Sequence, residues 1–258
     1  MNAGERDEYL TAIHLVQMRD AGLSLPTIGQ IKSVGFVGQE YKSSPYQYGS
    51  RKPSTTISDA EMLQIAHGMG VRKAAGDYKA DIIINGKGIS LKSHSAAPPA
   101  LVNHTARHGW ERVCKCVGAD IKTLDSIVEE YWEKRMAGEI REDIGNDSTS
   151  SPFATQQKFL APILGYFLFK GTGARDSKLP ADLILEVENP LDESTWRTLA
   201  PNSVVEELWG QLVFSIRSKK GMPQNYPIMK DQIKRRSIEI WTKNWQGAYR
   251  GALHVRAR

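Results

Sequence analysis

The apolar residues near the start of the chain recur every three or four positions, which is the period of an α-helix. A glycine and a proline then close the run, so the pattern predicts an amphipathic helix over residues 4–20. Residues 58–66 predict a second amphipathic helix, residues 110–137 predict long helical structure, and residues 25–32 suit a further short helix. The apolar positions of the first run are Tyr9, Leu10, Ile13, Leu15, Val16 and Met18.

A different pattern fills residues 79–92. Three consecutive isoleucines, Ile82 to Ile84, are strong strand formers, and Asn85-Gly86-Lys87-Gly88 has the composition of a tight turn. Residues 89–92 then alternate apolar with polar side chains. The stretch therefore predicts a β-hairpin, and the alternation of residues 182–188 predicts a further strand.

The register of this hairpin decides which side chains share a face. A loop of two or four residues puts Asp81, Ser90 and Lys92 on one face and Ile82, Ile84, Ile89 and Leu91 on the other. A loop of three residues without a bulge instead places Asp81 opposite Leu91 and scatters the polar groups. A joint role for Asp81 and Lys92 depends on the first arrangement.

A carboxylate that faces a lysine above a buried sheet suits metal-assisted hydrolysis of a phosphodiester. The carboxylate holds Mg²⁺, which polarises the phosphate and stabilises charge on the leaving oxygen. The lysine positions the attacking water or helps to deprotonate it. Asp81 fits the first role and Lys92 fits the second.

Asp81, followed after eight residues by Ser90-Leu91-Lys92, resembles the PD-(D/E)xK nuclease signature, and type II restriction endonucleases are the most similar members. The resemblance implies an α/β fold with a central mixed β-sheet flanked by helices, restriction-endonuclease-like, and Mg²⁺ as cofactor. Two positions depart from the signature. Ala80 replaces the proline, and Ser90 stands where the second acid usually does.

Because serine is a weak metal ligand, an active site of this kind needs a second carboxylate from elsewhere. In some restriction endonucleases that this pattern resembles, that acid lies on a helix. Glu61 and Glu111 are the two candidates, and Asp77 is a third. Glu61 also has a structural interpretation, because Ser58 three residues before it fits a helix capping box.

The hairpin signal is weak by itself, since an exposed Asp–Lys pair across two strands is a common structural feature. A second segment also competes with it. Pro180-Ala-Asp182 echoes the signature, but Glu186-Val-Glu188 lacks the lysine and lies too close to form a hairpin. The acidic face of that strand is expected to pair with Arg175 and Lys178 or to read cytosine amino groups.

Charge is distributed unevenly along the chain. Residues 215–258 hold eleven Lys and Arg against two acids, a net charge of +9, which leaves −4 of the total +5 on the remainder. A basic C-terminal third suits a polyanion such as DNA. The residues predicted to contact DNA, mainly at phosphates, are Arg107, Lys170, Arg175, Lys178, Lys234, Arg235 and Arg236.

His104 and His108 have the spacing of a metal-binding pair, but the glutamate that follows the first histidine of zinc proteases is absent. These histidines and Arg107 are alternatively placed near a scissile phosphate, or on a surface loop spanning residues 93–109. Cys114 and Cys116 are too close for an ordinary disulfide and are expected to be reduced. With no signal-peptide pattern or long apolar run, the expected location is the cytoplasm.

The sequence predicts an N-terminal helical segment with a basic Tyr/Ser/Pro loop over residues 1–56, followed by a nuclease-like α/β core over residues 57–258. The predicted function is Mg²⁺-dependent cleavage of double-stranded DNA by a type II restriction endonuclease, as a homodimer if its target is palindromic. Two alternatives remain open. One is a non-catalytic DNA-binding or regulatory protein, and the other is a repair or recombination nuclease of the same superfamily.

Overall fold

The computed structural model describes residues 1–93, 100–218 and 223–258. The chain forms two compact units, Met1–Pro99 with Ser177–Pro201 and Ala100–Asp176 with Asn202–Arg258. Each unit thus contains two separate stretches of the chain. The boundary predicted at residue 56 does not coincide with this division, because it lies inside the first unit.

The helices and strands of the described residues are numbered in chain order. The helices are α1 (Ala3–Asp20), α2 (Asp59–Met69), α3 (Arg107–Val117), α4 (Ile121–Met136), α5 (Gln157–Phe169), α6 (Val204–Leu208) and α7 (Gln232–Trp241). The strands are β1 (Ser24–Leu25), β2 (Gly29–Gln30), β3 (Val34–Phe36), β4 (Gln39–Glu40), β5 (Ile82–Ile84), β6 (Lys87–Ser93), β7 (Ala100–Ala106), β8 (Ile144–Gly145), β9 (Leu183–Val187), β10 (Trp196–Leu199), β11 (Leu212–Arg217), β12 (Lys243–Trp245), β13 (Ala248–Arg250) and β14 (Ala252–Ala257).

The first unit is built on a six-stranded mixed sheet in the order β10-β9-β6-β5-β3-β4. Strands β6 and β9 are parallel, and the other neighbours are antiparallel. Helix α1 packs on β6 and on α2. The predicted α/β class with a mixed sheet flanked by helices is therefore confirmed, whereas the likeness to restriction endonucleases stays a prediction. The strand residues that this core buries are Val34, Ile82, Ile84, Ile89, Leu91, Leu183, Leu185 and Val187.

Both helices of this unit begin where local chemistry predicts. At α1, the Asn2 side chain accepts from the backbone N–H of Glu5 at 2.9 Å, and the Glu5 carboxylate accepts from Asn2 N–H at 3.3 Å. At α2, the Ser58 hydroxyl accepts from the N–H of Glu61 at 3.2 Å, and Gly70 ends the helix at φ +86°. Such caps satisfy backbone groups that a helix end leaves unpaired.

Residues 25–32 and the basic Tyr/Ser/Pro loop both lie between α1 and α2. Residues 25–32 do not form a helix, because Thr27 and Gly29 adopt φ of +68° and +80° and join β1 to β2 in a short hairpin. The basic Tyr/Ser/Pro loop is held by side chains of α1 and by Glu193. Gln17 donates to the carbonyl of Tyr46 at 3.1 Å, and Tyr48 donates to Glu193.

The second unit has its own sheet, antiparallel throughout, in the order β7-β14-β11-β8. Its core is aromatic, with Phe153 stacked on Phe214 at a centroid distance of 4.2 Å. The loop predicted over residues 93–109 is wrong for residues 100–109, which form β7 and the start of α3, and its residues 94–99 lie outside the described residues. The long helix predicted over residues 110–137 is two helices, since Gly118 at φ +71° ends α3.

A valine stands where a hairpin turn favours asparagine. Val37 and Gly38 join β3 to β4 with φ of +41° and +77°, as Asn85 and Gly86 join β5 to β6. Left-handed backbone costs an L-residue with a Cβ about 1–2 kcal/mol, and asparagine tolerates it best. Since the Val37 side chain is 55% exposed, little packing is lost by replacing it. We expect Val37→Asn to raise the free energy of unfolding by about 1 kcal/mol in urea titration, and a lower urea midpoint would contradict this.

Candidate functional site

The hairpin that carries Asp81 is closed by the two-residue turn Asn85–Gly86. Asn-Gly is the sequence that such turns favour, because both positions need left-handed backbone. The Asn85 carboxamide also accepts from the backbone N–H groups of Lys32 at 2.8 Å and Ser33 at 3.1 Å. Turn chemistry and these contacts fix the register that places Asp81 beside Ser90.

Asp81 immediately precedes β5, and its carboxylate is bonded to the neighbouring strand β6. Oδ2 accepts from the backbone N–H of Leu91 at 2.8 Å and from the Ser90 hydroxyl at 3.3 Å. The backbone N–H of Asp81 donates to the Ile89 carbonyl at 2.8 Å. Ser90 is 2% exposed. The serine at the position of the usual second acid therefore orients Asp81 and adds no charge of its own.

The second carboxylate near Asp81 comes from helix α1. Glu8 lines the same cleft as Asp81 and is half-buried. Burial, and then the negative charge of Asp81, raise the pKa of Glu8 to about 7, while Lys73 and Lys92 act in the opposite direction. No sequence motif marks this residue, because its place at the site depends on α1 packing against β6.

Two lysines share the electrostatic environment of the two acids. The charge of Lys92 acts on both Glu8 and Lys79. Burial, and then the charge of Lys92, lower the pKa of Lys79 to about 8, and Asp81 opposes this shift. The backbone N–H of Lys79 is held by the Leu179 carbonyl at 2.9 Å. Lys79 is therefore a second cation of the site, and the sequence analysis missed it.

Glu8 and Asp81 line a cleft of about 20 Å³ in the first unit, which is room for roughly one water molecule. Lys73 lies on its wall and is ion-paired with Glu5 of α1. Acidic and basic side chains of the lining together give the cleft mixed charge. Among the described residues, its lining is Glu8, Tyr9, Ala12, Tyr41, Val71, Arg72, Lys73, Ala74, Asp81, Ile82 and Leu91.

The competing segment around residues 180–188 belongs to the same sheet. Strand β9 runs parallel to β6, so that Glu186 lies beside Lys92. Glu186 is 8% exposed. Asp182 accepts from the backbone N–H of Gly88 at 2.8 Å, which ties β9 to the hairpin. Lys178, which was predicted to pair with this acidic face, is ion-paired with Asp77 at 2.8 Å.

The three acids proposed from the sequence as the second metal ligand have other surroundings. Glu61 is exposed in the first turn of α2, where its backbone N–H makes the cap. Asp77 is engaged by Lys178. Glu111 belongs to the second unit, where it contacts Arg107 at 3.2 Å and Lys115 at 3.5 Å. None of the three lines the cleft that holds Asp81.

Arg107 does not have the surroundings of a DNA contact. It is 7% exposed. Its guanidinium donates to both carboxylate oxygens of Asp125 at 2.7 Å, to Glu111 at 3.2 Å and to the Ser237 hydroxyl at 2.9 Å. These bonds join α3, α4 and α7. Arg107 is therefore a structural residue of the second unit, and its prediction as a phosphate ligand is corrected.

The other cations predicted to contact DNA are more accessible. Lys170, Arg175 and Arg236 are exposed, and Lys234 and Arg235 are half-exposed on α7. Several further cations of the basic C-terminal third are neutralised by nearby acids. The ion pairs join Arg217 and Arg256 to Asp143, Arg250 to Glu142, and Arg258 to Asp147. Lys219 and Lys220 lie outside the described residues.

His104 and His108 are not on one helix face, because His104 is in β7 and His108 is in α3. His104 instead contacts His254 edge-on at a ring distance of 4.6 Å. Burial, and then the charge of His104, lower the pKa of His254 to about 4, so that this ring is neutral at pH 7. Within residues 1–93, 100–218 and 223–258, no three His, Cys, Asp or Glu side chains cluster closely enough to hold a metal ion together.

Comparison with models of known protein families, with curated proteins and with solved structures finds no match for this chain. The helices in the described part of the chain are all too short or too polar to cross a membrane.

Proposed function

We propose that the protein is a Mg²⁺-dependent nuclease and that Glu8, Asp81, Lys79 and Lys92 form its active site. The observation that carries the proposal is that the carboxylates of Glu8 and Asp81 line one cleft, while Lys92 acts electrostatically on Glu8 and Asp81 acts on Lys79. Strongly perturbed ionisation of this kind is concentrated at functional sites. The raised pKa of Glu8 and the lowered pKa of Lys79 fit this expectation.

The residues at the cleft fit magnesium. Mg²⁺ prefers oxygen ligands, and in phosphoryl-transfer sites one or two carboxylates hold it while it keeps several waters. Glu8 and Asp81 would be those carboxylates. The bound ion would supply positive charge that polarises the phosphate and stabilises the leaving oxygen. A cation between the two carboxylates would also offset their mutual repulsion, which adds to burial in raising the pKa of Glu8.

The remaining residues have roles that follow from their chemistry. Ser90 and the backbone of Leu91 hold the Asp81 carboxylate in one orientation. Lys92 positions the attacking water or accepts its proton, and Lys79 and Arg72 add positive charge for the phosphate. A lysine with a pKa near 8 is a better proton acceptor at neutral pH than an ordinary one, which makes Lys79 the alternative base.

The proposed substrate is double-stranded DNA, cut at specific sequences by a homodimer in the manner of a type II restriction endonuclease. Support for a nucleic acid comes from the accessible cations Lys170, Arg175, Lys234 and Arg235. A non-catalytic DNA-binding protein is the second candidate. Ser90 favours it, because this residue adds no carboxylate to the site.

The proposal is tested by incubating unmethylated plasmid with the protein and Mg²⁺. We expect cleavage that Asp81→Asn and Lys92→Ala each reduce by at least about 100-fold. Asp182→Asn is the matched control, because Asp182 also accepts a backbone N–H bond of β6 but lies outside the cleft. This control variant should cut like the wild type.

Each possible result bears on the choice of function. Discrete fragments that disappear with Asp81→Asn and Lys92→Ala support sequence-specific cleavage. Nicking that follows DNA shape rather than sequence supports the repair or recombination nuclease. Binding without any cutting by the wild-type protein supports the non-catalytic DNA-binding protein. Cutting that survives both substitutions overturns the proposed site.

A further inference from the structure

The second unit exposes an unusual amount of apolar surface on α7. Ile233 is 85% exposed and Ile240 is 52% exposed, although both are large aliphatic residues. They lie seven residues apart, with Arg236 between them, and therefore occupy one face of the helix. A solvated helix face is normally polar, so this stripe has the composition of an interaction surface.

The same region holds a cleft between α4 and α7 with a volume of about 230 Å³. This volume is below the roughly 300–1,000 Å³ of small-molecule sites and suits inserted side chains. Trp132 forms part of its wall, and Met136, which is 55% exposed, lies at its edge. The full lining is Asp125, Val128, Glu129, Trp132, Glu133, Met136, Ile240 and Lys243.

Charge distinguishes the two parts of this surface. Glu129 and Glu133 form an exposed acidic row one helical turn apart along the cleft, whereas Asp125 is paired with Arg107, and Lys243 is a cation of the lining. The stripe on α7 instead carries the exposed cation Arg236. The exposed carboxylates of Glu129 and Glu133 repel DNA phosphates, so nucleic acid is a poor occupant of this side of the cleft. An apolar and basic helix face is the complementary occupant.

We propose that a second copy of this chain occupies the cleft, with Ile233 inserted beside Met136 and Arg236 paired with Glu133 across the interface. A twofold interface requires one patch to contain both complementary halves. This surface meets that requirement, because the cleft and the stripe share Ile240. The inference concerns the second unit alone and does not rest on the proposed nuclease activity.

Helix geometry is compatible with this pairing. Ile233 and Ile240 are separated by about 10 Å along α7, at 1.5 Å per residue. If two copies meet about a twofold axis at Ile240, near the C-terminal end of α7, each Ile233 lies about 10 Å from the axis, over the other copy's cleft. Arg236 then falls between the axis and Ile233, where it meets the acidic row. This assignment replaces the predicted contact of Arg236 with DNA.

Sedimentation velocity of the full chain tests the proposal. We expect the wild-type protein to be a dimer at micromolar concentration and Ile233→Glu to weaken dimerisation by at least about 100-fold. Arg236→Glu should weaken it by about 10-fold. The double variant Arg236→Glu with Glu133→Arg should recover most of that loss, which a merely damaged fold would not do. Val37→Asn is the control, since it removes an exposed apolar side chain from the first unit.

The outcomes are decisive in both directions. A monomeric wild-type protein overturns the proposal, even if an unrelated protein is the true occupant of the cleft. A dimer that persists in Ile233→Glu also overturns it. Because Ile233 is 85% exposed, its replacement should leave the circular dichroism spectrum unchanged. If Ile233→Glu nevertheless misfolds, the charge-reversal pair decides, since recovery supports the interface and its absence refutes it.

Discussion

Glu8→Gln is expected to stabilise the folded protein at about pH 8 by about 2 kcal/mol and to reduce Mg²⁺-dependent cleavage by at least about 100-fold. The two effects have one cause. Glu8 is held beside Asp81 in a half-buried position where its charge is unfavourable, and that charge is what a metal ion would use. Catalytic groups often destabilise the fold in this way.

The sign of the stability effect follows from the pKa of Glu8. Burial and Asp81 raise it from the ordinary 4.5 to about 7, so the folded protein binds this proton more tightly than the unfolded chain does. The proton on Glu8 contributes its full stabilisation below the ordinary pKa of 4.5. This contribution is lost as the pH rises through the folded-state pKa of about 7, at up to about 1.4 kcal/mol per pH unit. Glutamine does not ionise and removes this dependence.

Urea unfolding of both proteins at about pH 5 and about pH 8 measures the effect, because the advantage of Glu8→Gln should grow between these values. Mg²⁺ should raise the melting temperature of the wild type more than that of the variant. Glu5→Gln is the control on the same helix, because Lys73 lowers the pKa of Glu5 and so gives the opposite sign. A variant that is no more stable at the higher pH, or that cuts normally, contradicts the prediction.

Local chemistry made the hairpin predictable. Asn85-Gly86 fixes a two-residue turn, and the alternation after it fixes the faces of β6. Asp81 and Ser90 consequently lie where the sequence placed them. The existence of helices α1 and α2 was equally accessible to prediction, because apolar periodicity marks both, and Ser58 with Glu61 also marks the start of α2.

The remainder of the site depends on contacts between distant segments. Glu8 reaches Asp81 only because α1 packs on a strand some eighty residues further along, and no local pattern encodes that contact. The short strands β1 and β2 were missed for a different reason. Thr27 adopts left-handed backbone, which its sequence neighbourhood does not favour, so the apolar spacing was mistaken for a helix.

The positive charge counted along the C-terminal part of the sequence is only partly accessible in the folded protein. The net charge of +9 on residues 215–258 indicates a polyanion only if those cations are accessible. In the second unit Glu142, Asp143 and Asp147 pair with four of them. These acids come from a segment about seventy residues before residue 215. A charge count restricted to residues 215–258 therefore overstates the positive charge that is accessible.

Arg107→Met is expected to lower the free energy of unfolding by about 3–5 kcal/mol, because removal of one partner of a buried ion pair leaves the other charged and poorly solvated. Asp125 would lose two hydrogen bonds of 2.7 Å, and Glu111 would lose one of 3.2 Å. The unbranched apolar chain of methionine replaces the aliphatic part of the arginine side chain, so the loss reports mainly on charge and hydrogen bonding.

The same variant separates the structural role of Arg107 from the phosphate contact predicted by its sequence. A DNA contact would lower affinity for a duplex and leave the urea midpoint unchanged, whereas a structural residue lowers the midpoint. Arg107→Met combined with Asp125→Asn should recover about 1–2 kcal/mol, because asparagine removes the uncompensated charge and can still accept from Trp241 Nε1, now 2.8 Å from Asp125. If Arg107→Met instead keeps the wild-type urea midpoint and binds duplex DNA less tightly, Arg107 belongs to the nucleic-acid interface after all.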